Sequence, residues 1–224
     1  MQKKPVLLIF DVNETLLDLS PIQTEINENL KNEKASSIWF NKLLYYSLAE
    51  TITGNYRDFG EIGNATLKMV AQELSVEISD NKIEEILGKM TKLKPHPEVK
   101  EALQDLKAAG FKIVVLTNGG SSTVKKQLDH AGLSSFFHEM YTVEAVKKFK
   151  PHPETYKYVL EQENVDPGDA MLVAAHGWDI MGANRAGLQS FFINRPGKFL
   201  YPFNDADYLT ENLTGLAKQL KKIP

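Results

Sequence analysis

A carboxylate and a hydroxyl follow the first apolar run of the chain at a spacing that suits nucleophilic catalysis. The run covers residues 6–10, Asp11 follows it directly, and Thr15 lies four residues further on. At the end of a strand, among the free N–H groups of a turn, a carboxylate can act as a nucleophile. The alternative is that Asp11 caps the next helix. Val12 and Asn13 come directly after Asp11, and we expect them to contact a substrate.

The sequence LTNGG ends a second apolar run, residues 112–117, with groups that can hold an anion. Thr117 supplies a hydroxyl, Asn118 supplies an amide, and Gly119 leaves the backbone open just before a predicted helix. Backbone N–H groups at the start of a helix attract negative charge. The segment is therefore a candidate anion cradle, and the alternative is an ordinary strand-to-helix turn.

A lysine and a tyrosine occur together in FKPHPETY. Lys150 precedes a proline, and the residue before a proline is held extended, so its ammonium can point at the strand ends. The alternative is a surface lysine. Tyr156, in the helix that follows, either reaches this lysine and the substrate or packs on the core.

The segment VAAHGWD ends a third apolar run, residues 170–175, with an imidazole, an indole and a carboxylate. These side chains belong to His176, Trp178 and Asp179. An imidazole has an ordinary pKa near 6.5 and can accept a proton at neutral pH. The alternative for His176 is a hydrogen-bonded loop histidine. Trp178 is predicted to form a wall of the substrate pocket, because it lies between two presumed catalytic side chains.

Apolar runs that alternate with helical patterns must position these groups. Runs typical of buried parallel strands cover residues 6–10, 112–117, 170–175 and 190–194, and helical patterns cover 121–130, 153–164 and 179–186. This alternation predicts an α/β fold with a doubly wound, Rossmann-like parallel sheet. Ligands of such sheets bind beyond the carboxyl ends of the strands, so we expect the reactive groups to converge there.

Residues 19–94 break this alternation, because their pattern predicts helices and no strand. The helical stretches cover residues 22–30, 37–52, 59–74 and 80–93. Two prolines in LKPHPEV then mark the return to the sheet. We therefore predict a core domain of residues 1–18 and 95–224, with an inserted helical cap of the four-helix bundle type at residues 19–94.

Composition excludes several classes of function. The chain has 224 residues, 42% of them hydrophobic, and a formal charge of -3, so it offers no basic surface for nucleic acid. The absence of cysteine excludes thiol catalysis, disulfides and thiolate metal sites. The apolar run near the N-terminus is too short for an export signal or a membrane span. We expect no membrane partner and a cytoplasmic location.

Together these motifs resemble the haloacid dehalogenase superfamily over essentially the whole chain. Within it the chain looks like the type II (S)-2-haloacid dehalogenase branch, on the segments WFNKLLYY, GNYRDF, LTNGG, FKPHPETY, HGWD, GANRAG and INRPGK. The resemblance implies that Asp11 is the nucleophile, oriented by Thr15 and paired with Lys150. It also implies that Thr117 and the amides near Asn118 hold the substrate carboxylate. The nucleophile would displace halide from C2 and form an ester that water then opens.

The chain departs from the superfamily phosphatases at two positions. Those enzymes resemble D-x-D-x-T in the first motif and carry two acidic residues in the last motif that help hold Mg²⁺. Here the second position is Asn13, which cannot act as a general acid, and Ala175 stands four residues before Asp179. Mg²⁺ demands oxygen ligands in octahedral geometry, so a lost carboxylate argues against it. We predict no cofactor and no metal ligand.

The chain also departs from the dehalogenase branch around the expected halide. Phe40 stands where that branch presents an arginine after a tryptophan, and Asn13 stands where it has a tyrosine lining the pocket. Aromatic edges are electropositive. We therefore expect Asn118, Phe59 and Phe40 to surround the halide in place of the cation.

His176 is the third departure, because the dehalogenases carry an asparagine there. We hypothesise that His176 activates the water that hydrolyses the Asp11 ester, and that Asp18 or Asp179 fixes its tautomer.

The predicted function is a metal-independent hydrolase of a small anionic substrate, a short 2-halocarboxylate, with the cap excluding bulk water. One alternative is a Mg²⁺-dependent phosphatase acting on a small phosphometabolite. Another is a catalytically degenerate protein of this fold that binds an organic acid or a protein. The apolar cap helices and the resemblance also suggest a homodimer.

Overall fold

The computed structural model describes residues 3–221, which form nine α-helices, four short 3-10 helices and six strands. The helices are α1 (Ser20–Asn29), α2 (Ala35–Thr53), α3 (Phe59–Glu73), α4 (Asp80–Gly88), α5 (Val99–Ala108), α6 (Ser121–Ala131), α7 (Pro153–Glu163), α8 (Gly177–Arg185) and α9 (Leu213–Leu220). The first two and the last three residues of the predicted core domain lie outside the described residues. Within residues 3–221, no helix is long and apolar enough to cross a membrane.

The strands form one parallel sheet. They are β1 (Leu7–Phe10), β2 (Lys112–Thr117), β3 (Glu139–Thr142), β4 (Ala170–Ala174), β5 (Gln189–Ile193) and β6 (Tyr208–Thr210). Their order across the sheet is β3-β2-β1-β4-β5-β6, and every neighbouring pair is parallel. The predicted doubly wound α/β fold is therefore confirmed.

The two edge strands and the last helix were not predicted from the sequence. Strand β3 is four residues long and partly exposed, and β6 is three residues long. Runs this short give no clear period of two, and edge strands need not be apolar on both faces. The four predicted strands are the inner ones and agree with the structure to within one residue.

Alternate side chains of the central strand enter two separate cores. Leu8 and Phe10 pack in the larger hydrophobic cluster, which continues into the cap helices. Leu7 and Ile9 pack in a second cluster with Tyr156 of α7. Successive side chains of a strand point to opposite faces, so β1 is covered on both sides and its carboxyl end is held rigidly.

Helices α1–α4, called the cap below, follow β1 and precede α5. No strand occurs in residues 20–92, all of which the structure describes. Helix α2 packs along α3, and the indole N–H of Trp39 donates to the carbonyl oxygen of Gly63 at 2.9 Å. The cap also contacts the core directly, because the hydroxyl of Thr51 accepts from the backbone N–H of Phe149 at 3.0 Å. The division at residues 19–94 into two domains remains a prediction.

Candidate active site

Three adjacent strands bring the predicted reactive groups to one edge of the sheet. Strand β1 lies between β2 and β4. Asp11 follows β1, Thr117 ends β2, and His176 lies two residues beyond β4. The arrangement matches the expectation that ligand sites of parallel sheets lie beyond the carboxyl ends of the strands.

Asp11 is buried, and both of its carboxylate oxygens are engaged. Oδ1 lies 2.9 Å from Lys150 Nζ. Oδ2 accepts from the hydroxyl of Thr15 at 2.7 Å and lies 3.3 Å from His176 Nδ1. Burial raises the pKa of Asp11, but the charge of Lys150 and the hydrogen bonds from His176 and Thr15 hold it below the ordinary value. Asp11 is therefore an ionised, oriented carboxylate.

The side chain of Lys150 is buried, and its ammonium has three hydrogen-bond acceptors. Its ammonium donates to Asp11, to the carbonyl oxygen of Leu116 at 2.9 Å, and to Asp179 Oδ2 at 2.6 Å. Its backbone N–H donates to Asn118 Oδ1 at 2.8 Å, which fixes the loop before α7 against the end of β2. Burial lowers the pKa of Lys150, but the two carboxylates raise it above its ordinary value. The residue is a permanent buried cation, not a surface lysine.

Asp179 lies in the first turn of α8 and is fully buried. Burial and the nearby charge of Asp11 raise its pKa above the ordinary value, against the opposing effect of Lys150. Its second oxygen accepts a hydrogen bond from the hydroxyl of Tyr156. For Tyr156 the sequence left open either contact with Lys150 and the substrate or packing on the core. The ring is buried in the second core behind Asp179, so it positions that carboxylate.

His176 is held between two carboxylates and two aromatic rings. Its Nδ1 faces Asp11, and its Nε2 lies 2.8 Å from Glu14 Oε2. The imidazole stacks on Phe40, with centroids 5.7 Å apart, and on Trp178, with centroids 5.1 Å apart. Burial lowers the pKa of His176, but hydrogen bonds to Asp11 and Glu14 outweigh it and raise the pKa to about 9. In the free protein at pH 7 this ring is an imidazolium.

The partner of His176 is not one of the two carboxylates expected from the sequence. Asp18 accepts from the backbone N–H and the hydroxyl of Ser20 at the start of α1, and Asp179 is taken by Lys150 and Tyr156. Both expectations are wrong, because Asp18 is bound locally to Ser20 and Asp179 is bound by two residues from outside α8.

Glu14 and Lys198 are the functional candidates that sequence reasoning missed. Lys198 Nζ lies 2.6 Å from Glu14 Oε2 and 5.5 Å from the centroid of the Phe40 ring. Glu14 has a φ of 62°, and this left-handed backbone conformation, uncommon outside glycine, belongs to the loop that brings its carboxylate against His176. The sequence does show that Glu14 lies between Asp11 and Thr15. It does not show the left-handed backbone conformation of Glu14.

The turn after β2 supplies donors for an anion. The hydroxyl oxygen of Thr117 accepts from the N–H of Gly119 at 3.1 Å, which leaves its own proton to donate. Asn118 Nδ2 is buried and has no hydrogen-bond partner within residues 3–221. Buried polar groups are nearly always paired, so an unpaired amide at this edge is suited to bind a ligand.

The other predicted substrate contacts divide into three groups. Val12 has its side chain buried in the larger core, and its carbonyl oxygen accepts from the N–H groups of Leu16 and Leu17, so its contact with substrate stays a prediction. Asn13, Phe59 and Gly119 line a cavity between the cap and the core. Phe40 packs against His176, as does Trp178, whose ring also lies 5.9 Å from Lys150 Nζ.

Ala175 follows β4 directly, at the position where the superfamily phosphatases are expected to carry a carboxylate. The N–H of Ala175 donates to the hydroxyl oxygen of Thr15 at 3.0 Å, which aligns the Thr15 proton with Asp11. Residues 3–221 contain no group of three or more His, Asp or Glu side chains arranged to hold a metal ion.

The fold and the site define a capped α/β enzyme with an aspartate at the end of its first strand. The chain belongs to the haloacid dehalogenase-like hydrolase family, whose model matches residues 6–187. The resemblance found in the motifs is thus confirmed.

Characterised relatives extend over most of the chain. Haloacetate dehalogenase H-2 of Moraxella sp. (strain B) is 26% identical over 197 residues, covering 87% of this chain and 88% of that protein. The (S)-2-haloacid dehalogenase of Xanthobacter autotrophicus is 29% identical over 182 residues, or 80% of this chain and 71% of that protein. The solved structure of the L-2-haloacid dehalogenase from Xanthobacter autotrophicus, with chloropropionic acid covalently bound, shares the fold. Its TM-score is 0.90 at 22% identity, covering 98% of this chain and 100% of that chain.

Proposed function

We propose that this chain hydrolyses the carbon–halogen bond of 2-halocarboxylates through an ester on Asp11, without a metal ion. The observation that carries the proposal is the state of Asp11, which is ionised, oriented by Thr15 and held beside the buried cation Lys150. The similarity to haloacetate and (S)-2-haloacid dehalogenases supports the same substrate class.

In the first half-reaction a carboxylate oxygen of Asp11 attacks C2 of the substrate. A carbon–oxygen bond forms, the carbon–halogen bond breaks, and its electron pair leaves with the halide. The hydroxyl of Thr117 and the free amide of Asn118 are the donors for the substrate carboxylate and the departing halide. Lys150 offsets the repulsion between two anions, since it stays charged throughout.

In the second half-reaction His176 acts as the base. Ester formation removes the negative charge of Asp11, which is one of the causes that raise the pKa of His176, so the imidazolium releases its Nδ1 proton to solvent. Glu14 keeps the other proton on Nε2. Nδ1 then accepts a proton from water, and the hydroxide attacks the carboxyl carbon of Asp11. The 2-hydroxy acid leaves, Asp11 is a carboxylate again, and His176 is an imidazolium again.

The phosphatase alternative is not favoured by the relatives, which are dehalogenases by name. The residues present also fit it poorly. Ala175 offers no side-chain oxygen as a ligand, and the ammonium of Lys150 already lies between Asp11 and Asp179. Metal independence, a cytoplasmic location and a homodimer are part of the proposal.

The test is halide release from 2-chloro- and 2-bromopropionate, with and without EDTA, beside phosphate release from phosphate esters with Mg²⁺. We expect halide release that EDTA leaves unchanged and no phosphate release. An Asp11→Asn variant must lose all turnover. Phosphate release that requires Mg²⁺ would favour the alternative.

A single turnover in ¹⁸O-water locates the attacked atom. Because water adds to the carboxyl carbon of Asp11, the first product molecule carries an unlabelled oxygen and the label enters Asp11. A labelled product from the first turnover would show that water attacks C2 directly, and the ester mechanism would be wrong.

A further inference from the structure

A largely apolar cavity of about 270 Å³ lies between the cap and the core. Its walls are formed by Trp39, Leu43, Phe59, Leu87 and Met90. Its inner end is formed by Asn13 and Gly119, which stand two residues after Asp11 and Thr117. The cavity therefore reaches the anion cradle at Gly119 and the loop after β1 at Asn13.

The polar groups at the inner end are already paired with each other. The amide of the buried Gln127 donates to Asn13 Oδ1 at 3.1 Å and to the carbonyl oxygen of Met90 at 3.0 Å. The one charged residue on the lining within residues 3–221 is Glu84, which is exposed at the outer rim. An apolar group can enter without leaving a buried charge unpaired.

A glycine in the middle of α3 keeps part of this space open. A Cβ atom on Gly63 would lie 3.8 Å from Trp39, 3.9 Å from Leu87 and 4.0 Å from Leu43, all ordinary contact distances. Packing does not require glycine there, and glycine is less favourable than alanine inside a helix. The effect of Gly63 is to leave room among three side chains of the cavity wall.

We propose that this cavity binds the group attached to C2 of the substrate. The enzyme then takes 2-halocarboxylates with an apolar substituent, a phenyl ring or a chain of about four carbons, beyond the short acids expected from the sequence. An engineered apolar cavity of about 150 Å³ binds benzene, so the volume here is sufficient. This inference rests on the proposed function for the reaction, and on the cavity for the choice of substrate.

Binding of halogen-free acids tests the subsite without turnover. Hexanoate is acetate with a butyl group on C2, and titration calorimetry compares the two on the wild-type protein. Each buried methylene improves affinity by about fourfold, so we expect hexanoate to bind on the order of 100-fold more tightly. Equal affinities for the two acids would overturn the proposal.

Variants of the wall give the second measurement. Gly63→Ala should lower the ratio of hexanoate to acetate affinity by about fourfold, and Leu87→Phe, which fills the space from α4, should lower it further. The matched control is Gly168→Ala, because an added Cβ there meets nothing within 4 Å and Gly168 is not on the cavity lining. The control should leave the ratio unchanged. Equal losses for both acids would mean that the cavity is a passage and not a subsite.

Kinetics then separate the two proposals. If the subsite and the reaction are both correct, kcat/KM for 2-bromohexanoate exceeds that for bromoacetate, and Leu87→Phe reverses the order. If hexanoate is preferred but no 2-bromo acid releases halide, the subsite stands and the proposed reaction fails. If bromoacetate turns over and 2-bromohexanoate does not, the reaction stands and the subsite is wrong.

Discussion

Two cations flank Asp11, and each is shared with a second buried carboxylate. On one side Lys150 lies between Asp11 and Asp179, and on the other His176 lies between Asp11 and Glu14. Both arrangements satisfy a buried charge by hydrogen bonds from two directions, as the low dielectric of the interior requires.

The two sides differ in what happens when Asp11 loses its charge. Lys150 starts from an ordinary pKa of 10.5 and keeps Asp179 as a partner, so it remains an ammonium. His176 has a pKa raised to about 9, and Asp11 supplies part of that rise. In the proposed mechanism, ester formation leaves the Lys150 cation in place and lowers the pKa of His176, so that His176 can lose its proton. The comparison shows how one site can hold a nucleophile ionised and later produce a base beside it.

The largest effect is expected from removing the permanent cation. Lys150→Met leaves Asp11 and Asp179 buried and unpaired, which costs about 3–5 kcal/mol of unfolding free energy, and halide release should fall below detection. Urea denaturation and a halide assay measure both. The control is Lys157→Met, an exposed position on α7, where the change should stay within about 0.5 kcal/mol. Retention of activity in Lys150→Met would show that His176 alone keeps Asp11 ionised, and the two cations would then be equivalent.

Replacing His176, the cation that is proposed to lose its proton, should affect the second half-reaction. In His176→Asn, we expect one equivalent of halide to be released while the ester on Asp11 persists, with its hydrolysis slowed by about 10²–10⁴. Mass spectrometry of the quenched protein detects the ester. His130→Asn, at an exposed site on α6, is the control. Ester hydrolysis at the wild-type rate in His176→Asn would exclude the base role.

A smaller effect is expected from Tyr156, which donates a hydrogen bond to Asp179, the second carboxylate that binds Lys150. Tyr156→Phe removes the hydrogen bond to Asp179, a bond to a charged group, so stability should fall by about 1.5–3 kcal/mol. Activity should fall less than in Lys150→Met, since the ammonium still has both carboxylates. Thermal denaturation and kcat measure the two. An activity loss as large as that of Lys150→Met would make Tyr156 part of the chemistry.

The smallest change, taken over one pH unit, is a pH dependence of stability on the His176 side. The folded pKa of His176, about 9, lies above its ordinary 6.5, so its stabilisation is complete below about pH 6.5 and is lost as pH rises through 9. The free energy of unfolding should fall by at most about 1.4 kcal/mol per pH unit in this window. Glu14→Gln should reduce that slope, and His176→Asn should abolish it. An identical slope in all three proteins would contradict the pairing.

The sequence predicted the inner sheet and most of the Lys150 side. Buried strands give unbroken apolar runs, and the groups at their ends must meet at one edge, so Asp11 and Thr117 were expected together without coordinates. Lys150 was selected from the proline that follows it, and its pairing with Asp11 from the family resemblance. The edge strands β3 and β6 are too short and too exposed to give such runs. The cavity was also out of reach, because it arises where α3 and α4 face α6.

The sequence by itself determined the class of fold, the position of Asp11 directly after the first strand and the alanine that follows β4, because each depends on residue type and local spacing. Only the tertiary structure decided which carboxylate holds His176. Asp18 and Glu14 are both near Asp11 in the chain. The left-handed backbone at Glu14 turns its side chain toward His176, 162 positions away. Asp18 instead accepts a hydrogen bond from the backbone N–H of Ser20 at the start of α1. Local patterns report neighbours along the chain, and a contact of this kind depends on how distant loops pack together.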